Sequence, residues 1–124
     1  MKEKEVKHFE DLLVWKESMN LALLIYNEMK ECKDYGFKDQ IQRAGVSIPS
    51  NIAEGFERNS HKEFIQFLYY AKASCGEFRT QLYLAIKLEY IQKGIGANLL
   101  DKSKKISSML YKLIEYRRMM NNKK

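Results

Sequence analysis

The chain should fold as an all-α, antiparallel, up-down-up-down four-helix bundle, and three observations point there. Six glycines and a single proline in 124 residues leave little material for turns, whereas many short strands would need Gly, Asn-Gly or Pro punctuation every ~8–12 residues. Apolar residues recur at helical spacing along four long segments, which is the mark of amphipathic helices. The connections between those segments are short, and short links force long neighbouring helices to run antiparallel. One domain is expected to cover residues 1–124, with frayed ends at about 1–7 and 121–124.

The first helix is expected from about Glu10 to Cys32. On a 3.6-residue wheel Leu12, Trp15, Met19, Ala22, Leu23, Tyr26 and Met29 share one face, expected to look into the core, and Val14, Leu21 and Ile25 form a second strip beside it. The helix is thus apolar over more than a bundle needs, so part of it is expected to meet another subunit. Gly36 should end this segment in the left-handed cap conformation. The second helix, about Phe37 to Glu57, contains Pro49, which removes a backbone donor and crowds the carbonyl of Gly45 four residues back. Either the helix kinks there, or it stops near Ser47 and restarts with Pro49 in its first turn.

The third helix opens with a capping box, Ser60 and Glu63, whose side chains reciprocally satisfy free amide donors at a helix start. No breaker follows until Lys93-Gly94-Ile95-Gly96, so the helix should span about thirty residues, roughly 45 Å. Its core face collects Phe64, Phe67, Leu68, Ala71, Cys75, Phe78, Leu82, Ala85 and Ile86. The fourth, about Asn98 to Met120, turns Leu99, Ile106, Leu110, Leu113 and Tyr116 inward.

Composition narrows the function classes. With 45% hydrophobic and 31% charged residues the chain reads as globular, and no apolar run approaches the roughly 18 residues of a membrane span. A cytoplasmic protein with no membrane contact is the expectation. Cys32 and Cys75 lack any CxxC or Cys/His metal spacing, and His8 and His61 pair with nothing in sequence, so two free thiols, no metal and no cofactor are expected. From residue 101 onward eight basic residues face only Asp101 and Glu115, which places the whole formal net charge of +6 in the last helix and tail. Such a cationic segment attracts polyanions, although it also complements the helix dipole and keeps a protein dissolved.

Two surfaces stand out. On the second helix Gln40, Arg43, Ser47, Asn51, Glu54 and Arg58 fall within about 60° of one line. Ser74, Glu77 and Gln81 make a matching polar edge on the third. The two edges are expected to pair as a partly buried hydrogen-bond network, with Arg43 held by Glu77 or Glu54, because buried polar groups must be satisfied. The competing reading makes Glu54, Glu77 and Arg43 a catalytic acid, base and oxyanion clamp, but no nucleophile, metal spacing or phosphate loop accompanies them. On the outer side of the third helix Ile65, Tyr69, Lys72, Gly76, Arg79, Tyr83, Lys87 and Tyr90 gather within about an 80° arc. Aromatic rings interleaved with cations hold single-stranded nucleic acid, and Tyr and Arg equally furnish subunit interfaces. Accordingly Tyr69, Gly76, Tyr83 and Tyr90 are candidate interface residues, and Lys72, Arg79, Lys87, Lys104, Lys105, Lys112, Arg117 and Arg118 are candidate nucleic-acid contacts. A helix-turn-helix reading is disfavoured, since the third helix is too long and starts with an aromatic core face.

The run from Gln40 through Arg43, Ala44, Gly45, Ser47, Ile48, Pro49, Ser50, Asn51, Ile52, Ala53 and Glu54 to Gly55 closely resembles the central motif of the 23S rRNA intervening-sequence proteins. Phe9-Glu10-Asp11-Leu12 with Trp15, then Ser60, Glu63-Phe64, Phe67-Leu68, Ala71, Ser74, Glu77, Gln81-Leu82 and Tyr90-Ile91 extend the likeness over nearly the whole chain. Two departures are Gln42, where the family often carries a second Arg, and Gly45, where it often carries Ala. The resemblance implies a homopentameric bundle of unsettled function. Related proteins accompany diversity-generating retroelements, where a basic pentamer binds a reverse transcriptase and nucleic acid. The functional expectation is therefore a non-catalytic homo-oligomer with RNA or DNA as ligand; the alternative is a scaffold recruiting an enzyme encoded nearby, such as a reverse transcriptase.

Overall fold

The computed structural model of the chain describes residues 6–123. A 3-10 turn at Phe9–Asp11 leads into α1 (Leu13–Glu28), followed by α2 (Tyr35–Phe56), α3 (His61–Lys87) and α4 (Lys93–Asn122), with no strand among the described residues. α3 packs along both α2 and α4, while α1 lies against α2 and, less extensively, α4. Asp34 before α2 meets Tyr90 beyond α3, so those two helices run in opposite directions. His61 at the start of α3 likewise meets Arg117 near the end of α4. The expected fraying falls partly outside the described residues; within them α4 continues to Asn122.

The core is built on α3, whose Phe64, Leu68, Ala71, Cys75, Phe78, Leu82 and Ala85 are buried as the sequence predicts. Around them close Ile41, Ile48 and Ile52 of α2 and Leu99, Ile106, Leu110 and Ile114 of α4. Each Phe, Leu or Ile side chain among them contributes about 1.5–3 kcal/mol on burial. Gly55 lets α3 approach α2: a Cβ there would sit 2.4 Å from Cβ of Phe67. Gly96 does the same between α4 and α3, where a Cβ would meet Ile86 at 2.5 Å.

Several expectations are corrected. On α1 the strip that looks inward is Val14, Ser18, Leu21, Ala22, Ile25 and Met29, while Met19, Leu23 and Tyr26 are exposed. Ser18 is tolerated inside because its hydroxyl donates to the carbonyl of Trp15 at 2.9 Å. α2 is one helix through Pro49, so the version that stops near Ser47 does not occur. Two side chains bond the backbone around the missing donor: Ser47 Oγ donates to Ala44 O and Asn51 Nδ2 to Ser47 O, both at 2.8 Å.

Gly36 caps nothing and lies in the first turn of α2, whose N-cap is Asp34. The left-handed residues are instead Asn59 and Glu89, with φ of 57° and 63°. Glu89 ends α3 several residues early in a Schellman arrangement, Tyr90 N–H donating to Ala85 O and Glu89 N–H to Ile86 O. The segment from Lys93 to Gly96, expected as a linker, is the first turn of α4. At the start of α3, the amide of Glu63 donates to Ser60 Oγ as expected. The Glu63 carboxylate, however, pairs with Arg58 at 3.4 Å.

Candidate functional site

Among the described residues, a concavity between α1 and α2 and another between α3 and α4 differ in their chemistry. The first lies between α1 and α2. Trp15, Met19, Leu23 and Tyr26 form one wall and Val46, Pro49 and Ala53 the other, around a volume of about 380 Å³. Phe9 closes one end with its ring edge-on to Trp15, the centroids 5.3 Å apart. Leu23 remains 64% exposed. The residues read from sequence as the core face of the first helix are thus largely the lining of an open apolar groove.

The second concavity, about 370 Å³, lies between α3 and α4 and is lined by Lys72, Arg79, Lys104, Ser107, Ser108 and Tyr111. Lys72 and Arg79 stand one turn on either side of Gly76, where an added Cβ would meet nothing within 4 Å. From α4, residues 104, 107, 108 and 111 recur at helical spacing and so share a face. None of the three cations has an ion-pair partner among the described residues, and Arg79 Nη1 is buried without a hydrogen-bond partner. Beneath them lies Cys75, fully buried. Burial pushes its thiol up to about 11, outweighing the opposite pull of the Arg79 and Lys72 charges.

The other candidate cations go elsewhere. Arg117 contacts His61 Nδ1 at 2.8 Å and stacks over the Phe64 ring at 4.6 Å. Arg118 donates to Tyr69 Oη at 2.8 Å and to Glu115 at 2.6 Å, which holds its guanidinium firmly charged. Both are engaged in binding the end of α4 to α3 rather than offered outward. Lys87, Lys105 and Lys112 are exposed outside the groove. Of the interface candidates, Tyr83 is open to solvent, and Gly76 is half-buried with open space at its Cβ position. Tyr90 lies past α3, donates to Asp34 at 2.7 Å and packs edge-on against Phe37.

Among the described residues, no hydrogen bond or ion pair joins the two polar edges expected to interlock on α2 and α3. Arg43 pairs with Asp39 at 3.7 Å, its side chain 79% exposed, and Glu54 pairs with Arg58 at 3.3 Å. Gln40 and Glu77 are exposed, Ser74 is half-buried, and Ser47 and Asn51 serve their own backbone. Gln81 is buried with Oε1 unpartnered. The physical reason is reach: neighbours at i,i+4 on one helix satisfy the long side chains before a second helix is needed. Arg43, Glu54 and Glu77 also line neither concavity. Among the described residues no group of three or more His, Cys, Asp or Glu is placed to hold a metal ion, and no helix is long and apolar enough to cross a membrane.

Sequence reasoning missed Ser107, Ser108 and Tyr111. Their signal was present in the 104, 107, 108, 111 stripe of α4, which the basic tally of that helix obscured. Fold and surface together define a small four-helix-bundle protein whose distinctive chemistry lies in two inter-helix grooves. The chain belongs to the 23S rRNA-intervening sequence protein family, whose profile matches residues 10–112. Among solved structures it is similar to a protein of unknown function from the S23 ribosomal protein family of Bacteroides thetaiotaomicron, at 31% identity and a TM-score of 0.78. That match covers 82% of this chain and 98% of the other. No curated protein matches.

Proposed function

We propose that this is a non-catalytic, cytoplasmic homo-oligomer, a pentamer by family resemblance, that binds RNA or DNA. The observation that carries the nucleic-acid part is the convergence of Lys72, Arg79 and Lys104, from two helices, on one groove without a carboxylate to neutralise them. Self-association is supported by the apolar groove between α1 and α2, since contiguous apolar surface of this kind marks contact sites. Sedimentation velocity together with RNA binding as a function of salt tests both parts. A monomer at micromolar concentration removes the oligomer, and no RNA binding at low salt removes the ligand, because phosphate contacts release counterions and strengthen as salt falls.

A second reading, a scaffold that recruits a partner enzyme such as a reverse transcriptase, is favoured by that same apolar groove and by exposed Leu84 and Leu88 near the end of α3. Co-purification with a neighbouring gene product, abolished by Leu84→Asp while the sedimentation coefficient of the chain alone is unchanged, separates it from the first.

A further inference from the structure

We propose that the groove between α3 and α4 is a subsite for one phosphodiester of a single-stranded nucleic-acid segment, with Arg79 donating to the phosphate and Tyr111 offering its ring to the adjoining base. This rests on the nucleic-acid reading above and specifies where, and in what form, the strand is held. Four features of the groove argue for it.

The cations are preorganised. Lys72 and Arg79 are half-buried on α3 and Lys104 approaches from α4, so three positive charges share one concavity of about 370 Å³. Gathering like charges costs free energy that a bound anion offsets. Arg79 Nη1 is a buried donor with no partner in the protein, so the protein itself leaves part of the guanidinium's hydrogen-bonding capacity unused. A guanidinium presents a planar fork that matches phosphate oxygens.

The neutral lining suits the same group. Ser107 and Ser108 bring hydroxyls that donate to phosphate oxygens, and Tyr111, 53% exposed, presents an aromatic face beside them. Base stacking on such a ring is sequence-tolerant. The lining has no carboxylate and no aliphatic side chain to grip an acidic peptide.

The experiment has two arms. In the first, inorganic phosphate is titrated into the full chain while backbone amide resonances are followed. Ser107 and Ser108 should shift, and the shifts should vanish in Arg79→Gln. Absence of shifts at tens of millimolar phosphate in the native chain, roughly the weak end of single-anion binding, overturns the site. In the second arm a fluorescent single-stranded RNA of roughly ten nucleotides is titrated at several salt concentrations. Arg79→Gln should weaken binding by about tenfold and reduce the salt slope by about 0.7, while Lys16→Gln on exposed α1 removes the same charge with little effect. Equal losses in the two variants, or displacement of the RNA by polyglutamate at matched charge, overturn the subsite. RNA that fails to bind the native chain while phosphate still shifts Ser107 and Ser108 overturns the nucleic-acid occupant and sinks the proposed function, leaving an anion pocket. Circular dichroism melts verify that each variant folds.

Discussion

The groove between α1 and α2 and the groove between α3 and α4 have nearly the same volume, yet one is lined by Trp15, Leu23, Tyr26 and Pro49 and the other by Lys72, Arg79 and Lys104. Each arises where a helix carries more of one residue type than its core face uses. α1 has two apolar strips and buries one; α3 sets Lys72 and Arg79 beside its core face, and α4 adds Lys104 to them. The difference teaches that in a small bundle the core fixes which helices meet, while the residues left over decide what meets the bundle. The two seams should therefore be separable by mutation.

The largest effect is expected at the apolar groove. Leu23→Asp places a charge where an apolar partner would cover it, and desolvating an unpaired carboxylate is prohibitive; the oligomer should dissociate to monomers by sedimentation velocity while the helical signal persists. An unchanged sedimentation coefficient would break the comparison by showing that this groove covers nothing.

Gly55→Ala probes the closed seam between α2 and α3. With Cβ of Phe67 2.4 Å from the new methyl, backbone must move, and urea unfolding should report a loss of about 2–3 kcal/mol.

Alkaline pH sharpens the view of the cationic side. Cys75 is held near 11 against an ordinary value of 9.0, so the unfolded chain releases its proton first. The contribution is fully present below pH 9, falls as pH rises toward 11, and amounts to something on the order of 2 kcal/mol. Tyr90, raised by its hydrogen bond to Asp34, adds a fall of the same sign above pH 10; comparison with Cys75→Ala isolates the thiol. A Cys75 that alkylates readily at neutral pH would mean that Lys72 and Arg79 lean over the thiol instead of opening to the groove.

The smallest effect is at Gly76. Its Cβ position is empty, so Gly76→Ala should stabilise the chain by about 0.5–1 kcal/mol through helix propensity alone, measured by thermal or urea denaturation. A loss would show that the space beside Gly76 is occupied.

How far these features were legible in the sequence differs by helix. α3 was read well because its core face is a single uninterrupted stripe. On the first helix the wheel places Leu12, Ala22 and Met29 rightly in the core but Met19, Leu23 and Tyr26 wrongly, because Ser18 interrupts the true core strip and a wheel cannot register that its hydroxyl is satisfied by Trp15 O. The linker placed at Gly94 and Gly96 was a helix start, since Gly96 is there for the approach of Ile86 rather than for a turn. The cationic residues were legible as a set, but spacing alone could not say that Lys72, Arg79 and Lys104 converge while Arg117 and Arg118 are held by His61, Phe64, Tyr69 and Glu115. That distinction depends on which side of α4 faces α3. The polar line on α2 failed for the same kind of reason: Arg43 and Glu54 find partners on their own helix.

The central claim is that the seam between α3 and α4 holds nucleic-acid phosphates, and the affinity of the native chain for single-stranded RNA across a range of salt concentrations tests it most directly. The expected result is a straight log–log decline with a slope of about −2 or steeper, from three cations at about 0.7 each. Affinity that is flat with salt, or no binding at the lowest salt, would contradict it.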